Sequence, residues 1–292
     1  MGSPFRIGAL LGAALEVRDL DAAEAFYGEI LGESARVERT RGSSHLVMGP
    51  QFLELVRRAR PRVSADTAQH HALVVSGARI QPLCERLTGE GHQIGWWRED
   101  HPAERTPAPY VEDPSGNRVQ LAGGRSTGIF DHVALEFADL EWAEDLYVRV
   151  LGAEIDHYHG WSSDRGPEVE AWLAGTDPAA PWTRYTRFSF RSRTDEAHAT
   201  PQLYLRLGGA RLAMFLARRH VQEPPEEVVR GTPRLVFSVD RPPSEVAAYF
   251  DGRGREIIAE RYRGRTIRHE TDDDNIFIRD PGGNFIELRY GG

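Results

Sequence analysis

One short phrase, Asp-Pro-x-Gly-Asn, occurs at 113–117 and again at 280–284. It constrains the fold more than any other stretch. Pro presets φ near −65°, Gly supplies a positive φ, and the Asx side chains bond back to nearby backbone, so each copy reads as a tight turn between two strands. The residues that follow alternate. After the second turn Ile286 and Leu288 face one way, while Phe285, Glu287 and Arg289 face the other; after the first, Gln120 takes the place of Glu287. Each strand therefore aims a polar side chain away from its apolar packing face.

The rest of the chain repeats around these turns. Residues 13–17 alternate as a strand, and a helical stripe follows through Ala22, Ala25, Phe26 and Ile30–Leu31 to Gly32. Residues 133–137 start the same pattern, and Tyr27, Leu31 and Gly32 recur as Tyr147, Leu151 and Gly152 at an offset of 120 residues. Strand-like runs follow at 44–48 and 51–57, and at 202–207 and 211–217. Two further openings, His71–Ser76 and Arg234–Val239, lead through helices at about 77–90 and 243–253 to the two turns. The expected architecture is α+β, with four βαβββ modules. They are grouped as an N-terminal domain (1–124) and a C-terminal domain (129–292), joined through the Gly- and Ser-containing stretch 123–128. The third module carries an insertion at about 156–200 with His157, His159, Trp161, Trp172, Trp182 and Tyr185, a length typical of a lid or binding loop.

A chain of 292 residues, 40% hydrophobic and 27% charged, can bury a substantial core. Its formal charge of −8 argues against a general nucleic-acid or anionic-membrane surface. The single Cys84 permits no intramolecular disulfide and fits a reducing cytoplasm. No apolar run approaches the roughly 18 residues of a membrane span, and the stretch Ile7–Leu15 reads as mature protein. There is no Lys, which removes Schiff-base chemistry and the phosphate-loop lysine.

Four such modules with Asp-Pro-x-Gly-Asn turns closing the second and fourth resemble the vicinal oxygen chelate superfamily, which holds glyoxalase I, bleomycin-resistance proteins and extradiol dioxygenases. The resemblance implies two half-open barrels, each cupping a pocket. In metal-using members it implies one divalent cation (Fe, Mn, Zn or Ni) on His and Glu side chains. Carried over position by position, the ligand sites fall on Gly12 and His132 in the opening strands of modules one and three, and on His71 and Arg234 in modules two and four. The fourth-strand sites fall on Glu54 and Met214, and the sites after the turns on Gln120 and Glu287. The metal candidates are thus His132, Glu287, His71 and Gln120.

The way the modules pair decides the rest. Pairing within each half gives His132, Arg234, Glu287 and Met214 in one barrel, and Glu54, His71 and Gln120 in the other. Pairing across halves gives His71, His132 and Gln120 against Glu54, Glu287 and Arg234. Arg cannot ligate a metal, and opposite Glu287 it fits a bidentate ion pair in the metal's place or a contact to an anionic substrate. Glu54 is a general-base candidate that a neighbouring Arg would otherwise satisfy. Tyr110, just before the first turn, lines the barrel and completes the catalytic candidates with Arg234 and Glu54. Two functions follow. One is an enzyme acting on a small oxygenated aromatic or carbonyl-bearing molecule, dioxygenase-, isomerase- or lyase-like, with a degenerate metal site. The other is a metal-free protein of the same fold that binds or sequesters a small molecule, as in antibiotic resistance. A homodimer is compatible with both.

Overall fold

The computed structural model describes residues 3–32, 35–63, 69–95, 108–124, 128–137, 140–159, 202–216, 230–254 and 267–291. Module one comprises β1 (Ile7–Val17), α1 (Leu20–Leu31), β2 (Arg36–Arg39), β3 (Ser43–Met48) and β4 (Gln51–Arg57). Module two comprises β5 (His70–Val75), α2 (Gly77–Gly89), β6 (Ile94–Gly95), β7 (Tyr110–Glu112) and β8 (Arg118–Gly123). Module three comprises β9 (Phe130–Phe137), α3 (Leu140–Glu144, continued by a wider π-helical turn at Asp145–Val150), β10 (Glu154–His159), β11 (Gln202–Leu207) and β12 (Ala210–Leu216). Module four comprises β13 (Arg234–Val239), α4 (Pro243–Tyr249), β14 (His269–Thr271), β15 (Asn275–Arg279) and β16 (Phe285–Tyr290). Of the aromatic insertion only β10 is described; Trp161, Trp172, Trp182 and Tyr185 lie outside the described residues.

Local chemistry explains the elements. The Asp19 side chain accepts from the backbone N–H groups of Asp21 and Ala22 and starts α1, and Gly32 ends it at φ 74°. The helix buries Leu20, Ala23, Phe26, Tyr27, Ile30 and Leu31, the stripe expected of a helix lying on a sheet. Both phrase turns place their fourth residue at positive φ, Gly116 at 98° and Gly283 at 84°. Their aspartates organise the loop: Asp113 accepts from the backbone of Ser115 and Asn117, and Asp280 from that of Asn284.

The strands form two eight-stranded sheets. The first runs β14-β15-β16-β13-β1-β4-β3-β2 and the second β10-β11-β12-β9-β5-β8-β7-β6. Module one thus shares a sheet with module four, and module two with module three. Each sheet takes one module from each sequence half, joined by the antiparallel pairs β1–β13 and β5–β9. One continuous apolar core joins the two sheets, from Leu15, Tyr27 and Leu53 through Leu73 and Leu121 to Phe137, Tyr147, Phe237 and Leu288. Gln51 ties the halves together: its amide donates to the Leu10 carbonyl (2.9 Å) and accepts from the backbone N–H of Ile129 (2.7 Å) and Phe130 (3.0 Å). Among the described residues no helix is long and apolar enough to cross a membrane.

Candidate active site

Strand alternation splits each sheet into a face on the apolar core and an inner, polar face. In the second sheet, Ala72 pairs with His132 on β9 and with Gln120 on β8, His70 pairs with Ala134, and Gln120 pairs with Tyr110. These residues share the inner face with Arg211, Ala213 and Phe215 of β12 and with Tyr204 of β11. The His70 and His132 rings meet there, Nε2 to Nε2, at 3.1 Å. The Nδ1 of His132 lies 2.7 Å from the Asp131 carboxylate, and Asp131 in turn accepts from the Arg211 guanidinium at 2.8 and 3.0 Å. This chain fixes the His132 ring with Nε2 directed at His70. Gln120 is buried, and its Oε1 has no hydrogen-bond partner. Tyr110 stands edge-on to His70 with ring centroids 5.1 Å apart, and Phe215 and Tyr204 complete an aromatic rim around the histidines. Glu136, two residues beyond Ala134 and buried, lies on the same face.

The first sheet presents equivalent positions with different chemistry. Ala14 pairs with Arg234 and with Glu54, and Val236 pairs with Glu287. Arg234 donates from Nε to Glu287 and from a terminal nitrogen to Glu54, both at 2.8 Å. Glu287, only 3% exposed, also accepts from Arg289 at 2.6 and 3.1 Å. His45 lies 3.5 Å from Glu54 and stacks on Phe52. By register, Arg234 corresponds to His70, Glu287 to Gln120, Glu54 to Ala213 and Gly12 to His132. At Gly12 even a methyl group would collide with Phe52, 2.6 Å from its carbonyl oxygen and 2.7 Å from its ring. Two carboxylates bound by two guanidiniums occupy the place where the other cup brings two imidazole rings together.

Comparison with known proteins agrees with this architecture. Residues 9–121 match the Glyoxalase/Bleomycin resistance protein/Dioxygenase superfamily. Glyoxalase I from Zea mays is similar over 98% of this chain and 92% of its own length, with 15% identity and a TM-score of 0.59. A point mutant of that enzyme superposes at a TM-score of 0.61 with 16% identity, over 98% of this chain and 92% of its own. A candidate dioxygenase from Bacillus subtilis covers 98% of this chain and 86% of its own at 14% identity and a TM-score of 0.54. No curated protein matches the chain. Residues 9–121 thus match this superfamily by sequence, and the chain shares the fold of glyoxalase I over nearly its whole length.

Within the vicinal oxygen chelate fold, the residues read from sequence divide between two cups. His132, Gln120 and Tyr110 stand together in the second sheet, whereas Glu287, Arg234 and Glu54 stand together in the first. Two assignments are corrected. The residue beside His132 is His70 and not His71, because the strand alternates and His71 takes the opposite face, with its ring toward Phe130. Burial, with the nearby His132 second, pushes the His71 imidazole down to about 4. The fourth-strand position of module three is Ala213 and not Met214, whose side chain is fully buried in the apolar core.

The sequence reading missed His70, Asp131, Arg211 and Tyr204. The adjacent pair His70–His71 was the signal for the first, and the Asp-His dipeptide 131–132 for the second. Electrostatics keep the second cup's groups in defined states. Burial raises both phenols, Tyr204 to about 12 and Tyr110 further, so both stay protonated donors at neutral pH. The His132 hydrogen bond holds the Asp131 carboxyl below its ordinary value, and Arg211 adds to this against the opposing effect of burial.

Proposed function

We propose that the protein is a vicinal-oxygen-chelate enzyme whose one working site lies in the cup of the second sheet. There His70, His132 and Gln120 would hold a divalent metal of the Fe, Mn, Zn or Ni class. The observation that carries this reading is the pair of opposed Nε2 atoms 3.1 Å apart on the same sheet face as the unpartnered Gln120 Oε1. Two imidazole nitrogens bound to one ion at about 2.1 Å come within roughly this distance of each other, and an orphaned buried carbonyl oxygen is a group in want of a partner. The donor set fits a divalent cation, more weakly than one that includes a carboxylate, because none of the three donors carries charge.

Such a metal would polarise neighbouring oxygens of a small oxygenated substrate and stabilise negative charge developing on them. The chain's own groups supply the rest. Asp131, anchored by Arg211, keeps His132 oriented. Tyr110 and Tyr204 offer hydroxyl protons to substrate oxygens, the aromatic rim suits a planar aromatic or carbonyl-bearing molecule, and Glu136 is a buried carboxylate placed to accept a proton. In this reading Arg234, Glu54 and Glu287 are structural, an ion cluster in place of a second metal. Dioxygenase-, isomerase- and lyase-like outcomes all accord with the geometry.

A second reading also has an observation behind it. With one ring protonated at Nε2, His70 and His132 form an ordinary hydrogen bond at the same 3.1 Å, and the aromatic cup then serves a metal-free binding or sequestering protein. Elemental analysis of protein purified without chelators separates the two. We expect close to one equivalent of metal in the wild type, lost in His132→Ala and in His70→Ala but kept in His71→Ala. Metal-free wild-type protein that also fails to take up added Zn, Mn, Ni or Fe(II) overturns the enzyme reading in favour of the second.

A further inference from the structure

The inner face of the first sheet carries a second feature beyond its ion cluster. Phe285, two residues before Glu287, lies against Gly231, and two guanidiniums converge on its ring: Arg279 at 4.2 Å from the centroid and Arg62 at 5.2 Å. Arg279 forms no hydrogen bond and no ion pair among the described residues, and its Nε is shielded from solvent with no acceptor. Burial first, and then the charge of Arg62, push its pKa down, and the neighbouring Asp280 carboxylate opposes this only in part. Asp280, the next residue, accepts from Tyr147 and Asn284 in the turn. Arg62 is half-exposed, and its carboxylate neighbour Glu16 is already heavily used. Glu16 accepts from the Thr232 hydroxyl at 2.6 Å and the Arg62 backbone N–H at 2.7 Å, and reaches the Arg62 and Arg58 guanidiniums only at 3.4 and 3.6 Å. Two arginines thus stack on one ring, and the nearby carboxylates Glu16 and Asp280 are each held by other donors, in a chain whose formal charge is −8.

The second sheet provides an internal control. By register, Arg279 and Phe285 correspond to Glu112 and Arg118, which face each other with 3.6 Å between charged atoms. There a cation and an anion close the position; here a cation and an aromatic ring leave it uncompensated. An unpaired, partly desolvated guanidinium is unfavourable unless something anionic completes it, and its planar donor fork matches a carboxylate or phosphate.

We infer that Arg62 and Arg279, with Phe285 between them, form a binding site for the anionic group of a small organic molecule, a carboxylate or phosphate whose apolar part lies along the Phe285 ring. The site belongs to the cup that holds the Arg234 ion cluster and does not depend on the metal reading of the other cup. It makes the molecule two-sited, with imidazoles and an amide in one cup and guanidiniums in the other.

Calorimetric titration with benzoate, phenyl phosphate and inorganic phosphate tests it. We expect saturable binding of at least one of these anions to the wild type, weakened at least about tenfold in Arg279→Gln, where one charge-assisted contact is gone, and unchanged in Arg149→Gln, a remote surface substitution. Tighter binding of benzoate assigns the site to carboxylates, and binding of inorganic phosphate as tight as the aromatic probes assigns it to phosphates. The bound anion should raise the Tm of the wild type and leave that of Arg279→Gln unmoved. The ligand-free Tm of Arg279→Gln should equal or exceed that of the wild type, since an uncompensated cation has been removed. No saturable binding of any probe, undiminished affinity in Arg279→Gln, or a ligand-free Tm several degrees lower in that variant overturns the proposal.

Discussion

Two buried phenols do at the scale of single residues what the repeated turns do at the scale of loops. Tyr27 donates to Asp113 at 3.0 Å, and Tyr147 donates to Asp280 at 2.9 Å. Each aspartate is also bound by the side-chain amide of its turn asparagine at 2.8 Å. Burial raises Asp280 to about 6, while the hydrogen bonds from Asn284 and Tyr147 act in the opposite direction. An Asp whose folded pKa is raised holds its proton more tightly folded than unfolded. Its contribution is therefore fully present below about 3.9, the unfolded value, and is lost as pH rises through 6. The Tyr147 hydroxyl offsets part of that loss by binding the ionised form. Tyr147→Phe should then destabilise by about 1–3 kcal/mol at pH 8, the cost of a buried group losing a partner. At pH 4, where the carboxyl is neutral, the cost should be clearly smaller. Urea unfolding of both proteins at the two pH values measures it, and an equal cost at both would mean that Asp280 does not titrate in this range. The Tyr at this position was visible in the sequence as a repeat at a fixed offset. Its partner was not, because nothing in a tyrosine's neighbours says which distant aspartate its hydroxyl will meet.

Elements are where the sequence was most legible and where its one-residue errors did most harm. The opening strands, the helices and the paired strands of modules one and three follow from alternation and helical stripes, and β13 spans Arg234–Val239, the run read from the sequence. A strand's two faces differ by a shift of one, however, and His70–His71 offers a histidine to either face. Only pairing to β9 and β8 selects His70 for the inner one. Ala213 went unnoticed beside Met214 for a related reason, since an alanine on an inner face carries no chemical signal. Gly12 is the opposite case, a residue without a side chain whose role depends on what crosses above it. Phe52 on the neighbouring β4 lies so close that a methyl group at Gly12 would meet backbone as well as ring. Gly12→Ala should cost about 1–3 kcal/mol by overpacking, read as a lower urea midpoint with unchanged m-value. A neutral effect would mean that β1 and β4 can separate locally without loss.

The whole molecule is held by two kinds of pairing that run crosswise. Sheets join module one to four and module two to three. The turn latches instead join consecutive modules: Asn117 donates to the Glu16 carbonyl and Asp113 accepts from Tyr27, while Asp280 accepts from Tyr147 in the other half. Each module is therefore bound covalently and by its latch to one partner, and by strand pairing to another. Nothing in the sequence could choose between the two sheet pairings, because all four opening strands bury similar apolar faces and present similar edges. The choice has chemical weight, since it brings His132 to His70 and Arg234 to both Glu54 and Glu287, and so separates a cup able to hold a metal from one filled by charge. It also predicts how the two halves behave when made separately. Residues 1–124 alone would leave the β1 and β5 edges without β13 and β9, two long unpaired edges that invite association. Chromatography with light scattering should show each half, 1–124 and 129–292, as dimers or larger species or as insoluble material. Refolding the two together should give a one-to-one complex with the mass of the intact chain, since each half supplies the edges the other lacks. A monomeric 1–124 with a cooperative unfolding transition of its own would mean that β1 and β5 can pair within one half, and the separation of the two cups would then be a property of the intact chain alone.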